Sequence, residues 1–105
     1  MAVVGDRLYR KAQSKEDEAA NIEQQIVRID DDVRKLKIDF DIYFNGGGRR
    51  PPLEAKARLE ANIKRISDNR NLTYAQRFQF NTTVSRFTAF RELWRRMLKA
   101  KGEEI

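Results

Sequence analysis

The sequence predicts an all-α protein: a long heptad helix, a short antiparallel helix and a third long helix, forming a helical hairpin and a three-helix, coiled-coil-like bundle. Three observations predict it. Ala19, Ile22, Ile26, Ile29, Val33, Leu36, Phe40 and Tyr43 alternate spacings of three and four without a slip, which is a heptad repeat. Two stretches of turn composition, Gly46 to Pro52 and Ser67 to Asn71, divide the rest of the chain into helix-length pieces. The last piece places four of the six phenylalanines, the only tryptophan and five arginines within residues 77–96.

Residues 1–14 carry no sustained periodicity and are expected to form a flexible N-terminal segment or a short extension of the first helix. From about Ser14 the heptad takes over. Ala19, Ile26, Val33 and Phe40 occupy a positions, and Ile22, Ile29, Leu36 and Tyr43 occupy d positions. Asp30 with Arg34 and Asp31 with Lys35 are spaced for i,i+4 pairing on the outer faces. A helix from Ser14 to Phe44 is ~45 Å long, more than the diameter of a compact domain of this size.

Asn45-Gly46-Gly47-Gly48 supplies a left-handed C-cap, and Pro51-Pro52 suits the first turn of a new helix. That second helix, from about Pro52 to Ser67, has a narrow apolar face of Leu53, Ala57, Leu59, Ile63 and Ile66. Glu54–Arg58 and Glu60–Lys64 are spaced for pairing outside it. Thr73 and Gln76 match a capping box and start the third helix, with Leu72 just before it. At 100° per residue, Phe80, Val84, Phe87, Phe90, Trp94, Met97 and Leu98 share a stripe about 140° wide. Phe78 and Leu93 fall outside it or on its margin, and Arg91 falls within it. The third helix should end near Ala100, giving a single helical domain over residues 15–101 and a frayed tail over residues 102–105.

These lengths carry a geometric expectation. The second helix returns the chain by only ~24 Å, roughly half the length of the first. The third helix is therefore expected to overhang the Gly46–Gly48 turn, leaving Ala19, Ile22, Ile26 and Ile29 without a partner from their own chain. An uncovered heptad face marks an interface.

Composition narrows the function classes. The 105 residues include no cysteine and no histidine, which removes thiolate chemistry, Ser-His and Cys-His nucleophile pairs and most transition-metal sites. No catalytic residue, cofactor, metal ligand or small-molecule substrate is expected, and the chain is not read as an enzyme. No segment approaches the ~20 apolar residues of a membrane span, and the three-residue apolar run before Gly5 and Asp6 is too short for a signal peptide. The expected location is cytoplasmic.

The formal charge of +6 is unevenly spread. Residues 1–48 carry 8 Lys/Arg against 10 Asp/Glu, a net of −2, while residues 49–105 carry 14 against 6, a net of +8. Either an acidic first helix packs against a basic second half, or the basic part faces an anionic partner.

Interleaved arginine and aromatic residues are also the composition of nucleic-acid surfaces. Most of these aromatics lie on the core stripe, however, where they cannot stack on a base. Arg91 is expected to lay its stem on the core and meet Asp39 or Asp41. Gly46 to Pro52 lacks the spacing of a phosphate-binding loop and reads as a flexible turn with a solvated Arg49-Arg50 tip. The runs Glu16-Asp17-Glu18 and Asp30-Asp31-Asp32 fan around a helix instead of converging on a metal.

The segment IDFDIYFNGGGRRPP, followed by the RFQFN…RF…LW pattern, resembles a small helical domain of myxobacterial and related deltaproteobacterial proteins, often found at the C-terminus of larger chains. The resemblance covers roughly Leu36 to Arg96, with Tyr43-Phe44 and Arg77-Phe78-Gln79-Phe80-Asn81 its most recognisable pieces. It implies a reusable appended unit with no assigned activity.

The function expected from these features is a non-enzymatic helical protein–protein interaction or assembly module. It would act by coiled-coil pairing through Ile22, Ile26, Ile29 and Val33, and by a second surface at Phe90, Leu93 and Trp94. Its partner would be a second copy of itself or another helical protein. The alternative is a nucleic-acid-binding module using Arg49, Arg50, Arg77, Arg86, Arg95 and Arg96.

Overall fold

A computed structural model of the chain describes the backbone of residues 3–102 and the side chains of residues 20–102. Three helices, α1 (Val3–Phe44), α2 (Leu53–Ser67) and α3 (Tyr74–Ala100), form an all-α three-helix bundle, with no strand among the described residues. α1 begins well before Ser14. No proline interrupts the approach to the heptad, and Lys11 to Ala20 is rich in strong helix formers, so the helix propagates beyond the apolar repeat. At 1.5 Å per residue its 42 residues span roughly 63 Å and set the 68 Å long axis of the molecule.

The helix boundaries follow from local chemistry. At the end of α1, Gly46 takes φ +88°, donating its N–H to the Tyr43 carbonyl at 3.0 Å. A Cβ on Gly47 would lie 2.6 Å from Ile42 Cγ2 and 3.1 Å from the Ile42 carbonyl oxygen, so the chain can fold back here only with glycine. α2 carries Glu54 in its first turn and Lys64 and Arg65 in its last, each matched to the helix dipole. At α3 the capping box is complete. Thr73 Oγ1 accepts from the Gln76 N–H at 3.1 Å, and the Thr73 N–H donates to Gln76 Oε1 at 3.0 Å.

The heptad seam from Ile22 to Tyr43 is the spine of the core. It is covered by Leu59 and Ile66 from α2 and by Phe80, Phe87, Trp94 and Leu98 from α3. Trp94 stacks on Phe40 with ring centroids 4.2 Å apart, lies 5.7 Å from Phe90 and meets Phe87 edge-on at 6.3 Å.

This packing corrects the expected stagger. Thr83 bonds to Asp30 and Trp94 stacks on Phe40, so a residue of α3 lies level with the residue of α1 numbered 53 or 54 lower. Tyr74 therefore starts near the level of residue 21, and the far end of α3 lies beside the end of α1, with Lys101 Nζ 4.2 Å from the Tyr43 ring centroid. Ile22, Ile26 and Ile29 are 5 %, 0 % and 2 % exposed within their own chain, so they form no open face. The Ala19 side chain and the expected frayed tail beyond Gly102 lie outside the described residues. Helix lengths alone leave out the connection between α2 and α3. The segment from Asp68 to Thr73 carries the chain several residues further along α1 before α3 begins, which moves α3 down over the isoleucines and removes the overhang.

Side-chain pairing departs from the simple i,i+4 expectation as well. Asp30–Arg34 forms at 3.0 Å, but Asp31–Lys35, Glu54–Arg58 and Glu60–Lys64 are not ion pairs. Lys56 and Lys64 instead pair with Glu60 and Asp68 at 3.2 and 3.4 Å, leaving Glu60 turned toward α3. There it accepts from Arg91 at 3.2 Å. Arg91 thus meets a carboxylate of α2, not Asp39 or Asp41 of α1, because its place in the stripe lies on the α2 side, with its guanidinium 5.6 Å from the Phe87 ring centroid.

Candidate interaction surfaces

α1 has two flanks, and different helices pack on each. On the flank toward α3, Asp30 is the central polar group: its Oδ1 accepts from Thr83 Oγ1 at 3.2 Å and Arg86 at 2.9 Å, and its Oδ2 pairs with Arg34 at 3.0 Å. Thr83, although buried, is thereby satisfied. Apolar side chains remain uncovered at both ends of this α1/α3 side. Toward the start of α3 they are Val27 and Phe78, the latter 69 % exposed and bordering the same surface depression as Arg34 and Arg86. Toward its end they are Ile38 (57 %), Leu93 (50 %) and Met97. The 100° helical step puts Val27 and Ile38 on the outer surface of α1 beside that flank, with Ile42 turned further round toward α2, and puts Leu93 and Met97 on the flank of α3 next to α1.

The sequence-predicted interface residues are divided by this geometry. Ile22, Ile26, Ile29, Val33 and Trp94 are buried among the three helices and present no surface. Phe90 is half-buried, with Lys37 Nζ 5.9 Å from its ring centroid, and Leu93 alone of the set is exposed. Val27, Ile38 and Ile42 did not enter the sequence-based site. Their signal was present as apolar residues off the heptad, spaced by eleven and four, which is one helix face. Met97 was assigned to the core stripe but sits at its edge.

The six arginines proposed as an anion surface do not come together. Arg86 is committed to Asp30. Arg95 and Arg96 both reach Glu92 on their own helix, at 2.7 and 3.7 Å. The Arg95 hydrogen bond, helped by the neighbouring arginine charges, holds the Glu92 carboxyl below its usual value, and Arg95 is raised in turn. Arg49, Arg50 and Arg77 are exposed and make no ion pair among the described residues. Arg49 and Arg50 lie at the glycine turn, and Arg77 lies in the first turn of α3, near the level of residue 24 of α1, so they are separated by roughly 35 Å along the bundle.

On its other flank α1 meets α2 more shallowly. Asn21, Gln25 and Arg28 of α1 face Asn62 and Arg65 of α2 across a groove of about 320 Å³ floored by Ile29 and Ile66. The groove continues past Asn62 between Asp32, Lys35 and Asp39 on one side and Arg58 on the other. No group of three or more metal-ligating side chains occurs among the described residues, and no described helix is long and apolar enough to cross a membrane. The chain matches no protein-family model, no curated protein and no solved structure.

Proposed function

We propose that this chain is a non-enzymatic helical interaction module that pairs with a second copy of itself through the α1/α3 side. The observation that carries the proposal is the uncovered set Val27, Ile38, Phe78, Leu93 and Met97, divided between the two ends of that side with the Asp30 cluster between them. Such an order is self-complementary under a two-fold axis. With antiparallel α1 helices crossing near Val33, Val27 of one copy falls against Ile38 of the other, and Leu93 against Val27. The pairing is helix to helix, as the heptad suggested, but it uses the flank of α1 and not its a/d seam, which is already filled. The lack of cysteine suits a reducing cytoplasmic setting.

Light scattering at tens of micromolar is expected to give a dimer mass for the native chain and a monomer mass for the Ile38→Asp, Leu93→Asp double variant, with helicity unchanged. A monomeric native chain with full helicity overturns the proposal. The nucleic-acid alternative has less support, since its unpaired arginines are divided between the two ends of the bundle. It predicts retardation of DNA or RNA that weakens steeply with salt.

A further inference from the structure

We propose that the α1/α2 groove, on the opposite flank of α1 from the pairing face, is a second docking site whose occupant is a protein segment bearing carboxylates at one end and apolar side chains beside them.

The groove is open because α2 covers α1 thinly. Leu59 and Ile66 are the fully buried residues of α2, while Ala55 and Asn62, the intervening positions that face α1, are too short or too polar to close the space beside them. Helix α2 therefore rests on α1 along a narrow line, and the flanking polar side chains line a trough.

The chemistry at the upper end of that trough is one-sided. Arg28 forms no ion pair among the described residues, although Asp32 lies four positions on. Arg65 donates to the neutral side-chain carbonyl of Asn62. Two guanidinium groups thus border one end of the groove, and among the described residues no carboxylate lines it there. Guanidinium is a planar, permanently charged donor that matches a carboxylate in bidentate fashion. Asn21, Gln25 and Asn62 each offer one donor and one acceptor group, which suits the alternating N–H and C=O of a peptide better than a phosphate, which accepts only. The Ile29 and Ile66 floor suits an aliphatic side chain.

Further along, Asp32 and Asp39 line the same trough with Lys35 and Arg58. There the two carboxylates offset the two cations, so a continuous phosphodiester backbone gains no net attraction, whereas a peptide can vary its charge from residue to residue. The trough thus favours an acidic and apolar protein segment over nucleic acid.

The test uses the full chain and a fluorescein-labelled octapeptide with two glutamates at one end and alternating leucine and glutamine over the rest, followed by anisotropy at about 0.1 M ionic strength, where surface charges more than about 10 Å apart are largely screened. Saturable binding is expected. Arg28→Ala with Arg65→Ala should weaken it by at least about tenfold, the equivalent of one lost charge-assisted hydrogen bond. Arg49→Ala with Arg50→Ala removes the same charge at the glycine turn and should change it by less than about twofold. Circular dichroism checks that both variants keep native helicity; all four arginines are exposed. Absence of binding to the native chain, or equal losses in the two variants, overturns the proposal. So does tighter binding of an oligothymidylate with the same dependence on Arg28 and Arg65, which would assign the groove to nucleic acid. Dimer formation is read separately by light scattering, so failure of the pairing face and failure of the groove are distinguishable.

Discussion

The two flanks of α1 show how differently one helix can be covered. Toward α3 the contact is deep and aromatic: Phe40, Phe87, Phe90 and Trp94 interlock, and the buried Thr83 finds its acceptor in Asp30. Toward α2 it is shallow, resting on Leu59 and Ile66 with half-covered neighbours such as Ala55 and Ile63. Ring area makes the difference. Aromatic side chains bury about 150–250 Å² each and reach across the space between helix axes, whereas the α2 stripe of leucine and isoleucine spans a narrow arc. Helix α3 therefore stabilises the bundle, while α2 leaves a polar trough open to another molecule.

The comparison is tested most directly by deleting one buried residue from each flank. Trp94→Ala should cost about 3–5 kcal/mol, removing three ring contacts at once, whereas Leu59→Ala should cost about 2–3 kcal/mol, because its site can partly collapse onto solvent. Urea unfolding of both variants measures this, and equal losses would mean that the two flanks are equally strong. A smaller effect is expected at the start of α3. Thr73→Ala removes the side-chain half of the capping box and should cost about 1 kcal/mol in the same measurement. It sharpens the comparison because the α2 N-cap, Pro52, makes no side-chain cap bond that could be lost.

The smallest effect lies on the outer face of α3. The Glu92 carboxyl is held below its usual value by Arg95, so its titration by carboxyl-detected nuclear magnetic resonance should fall below that of an unperturbed glutamate. With the folded value below the unfolded one, any stability it contributes is present above the unfolded value and is lost as pH falls through the folded one. Arg95→Ala should return Glu92 toward the ordinary glutamate range. Because the pair lies on the surface, the thermal midpoint should barely change.

Much of the fold was legible from residue order. The capping box at Thr73 and Gln76, the glycine turn and the heptad seam are each local patterns with a single structural solution, and all three helices follow from them. The surfaces were less legible. Off-heptad apolars such as Val27 and Ile38 are visible in the sequence, but whether they are covered depends on where α3 lies. The partner of Arg91 was unreadable for a related reason: carboxylates of α1 and α2 were both within reach of its position in the stripe, and only the packing of α2 against α3 selects Glu60. Arg28 and Arg65 are separated by 37 positions and share no motif, so the sequence offered no reason to put them together.

By itself, then, the order of residues determined the class, the number of helices, their caps and the side of each that turns inward. These depend on periodicity and on backbone chemistry within a few residues. Only the tertiary structure decided the stagger, and with it the fate of Ile22, Ile26 and Ile29. That depends on how far the connection from Asp68 to Thr73 travels along α1 and on where the rings of Phe40 and Trp94 meet. A shift of one helical turn, about 5.4 Å, toward the glycine turn would start α3 near the level of residue 25 and leave Ile22 beyond its end.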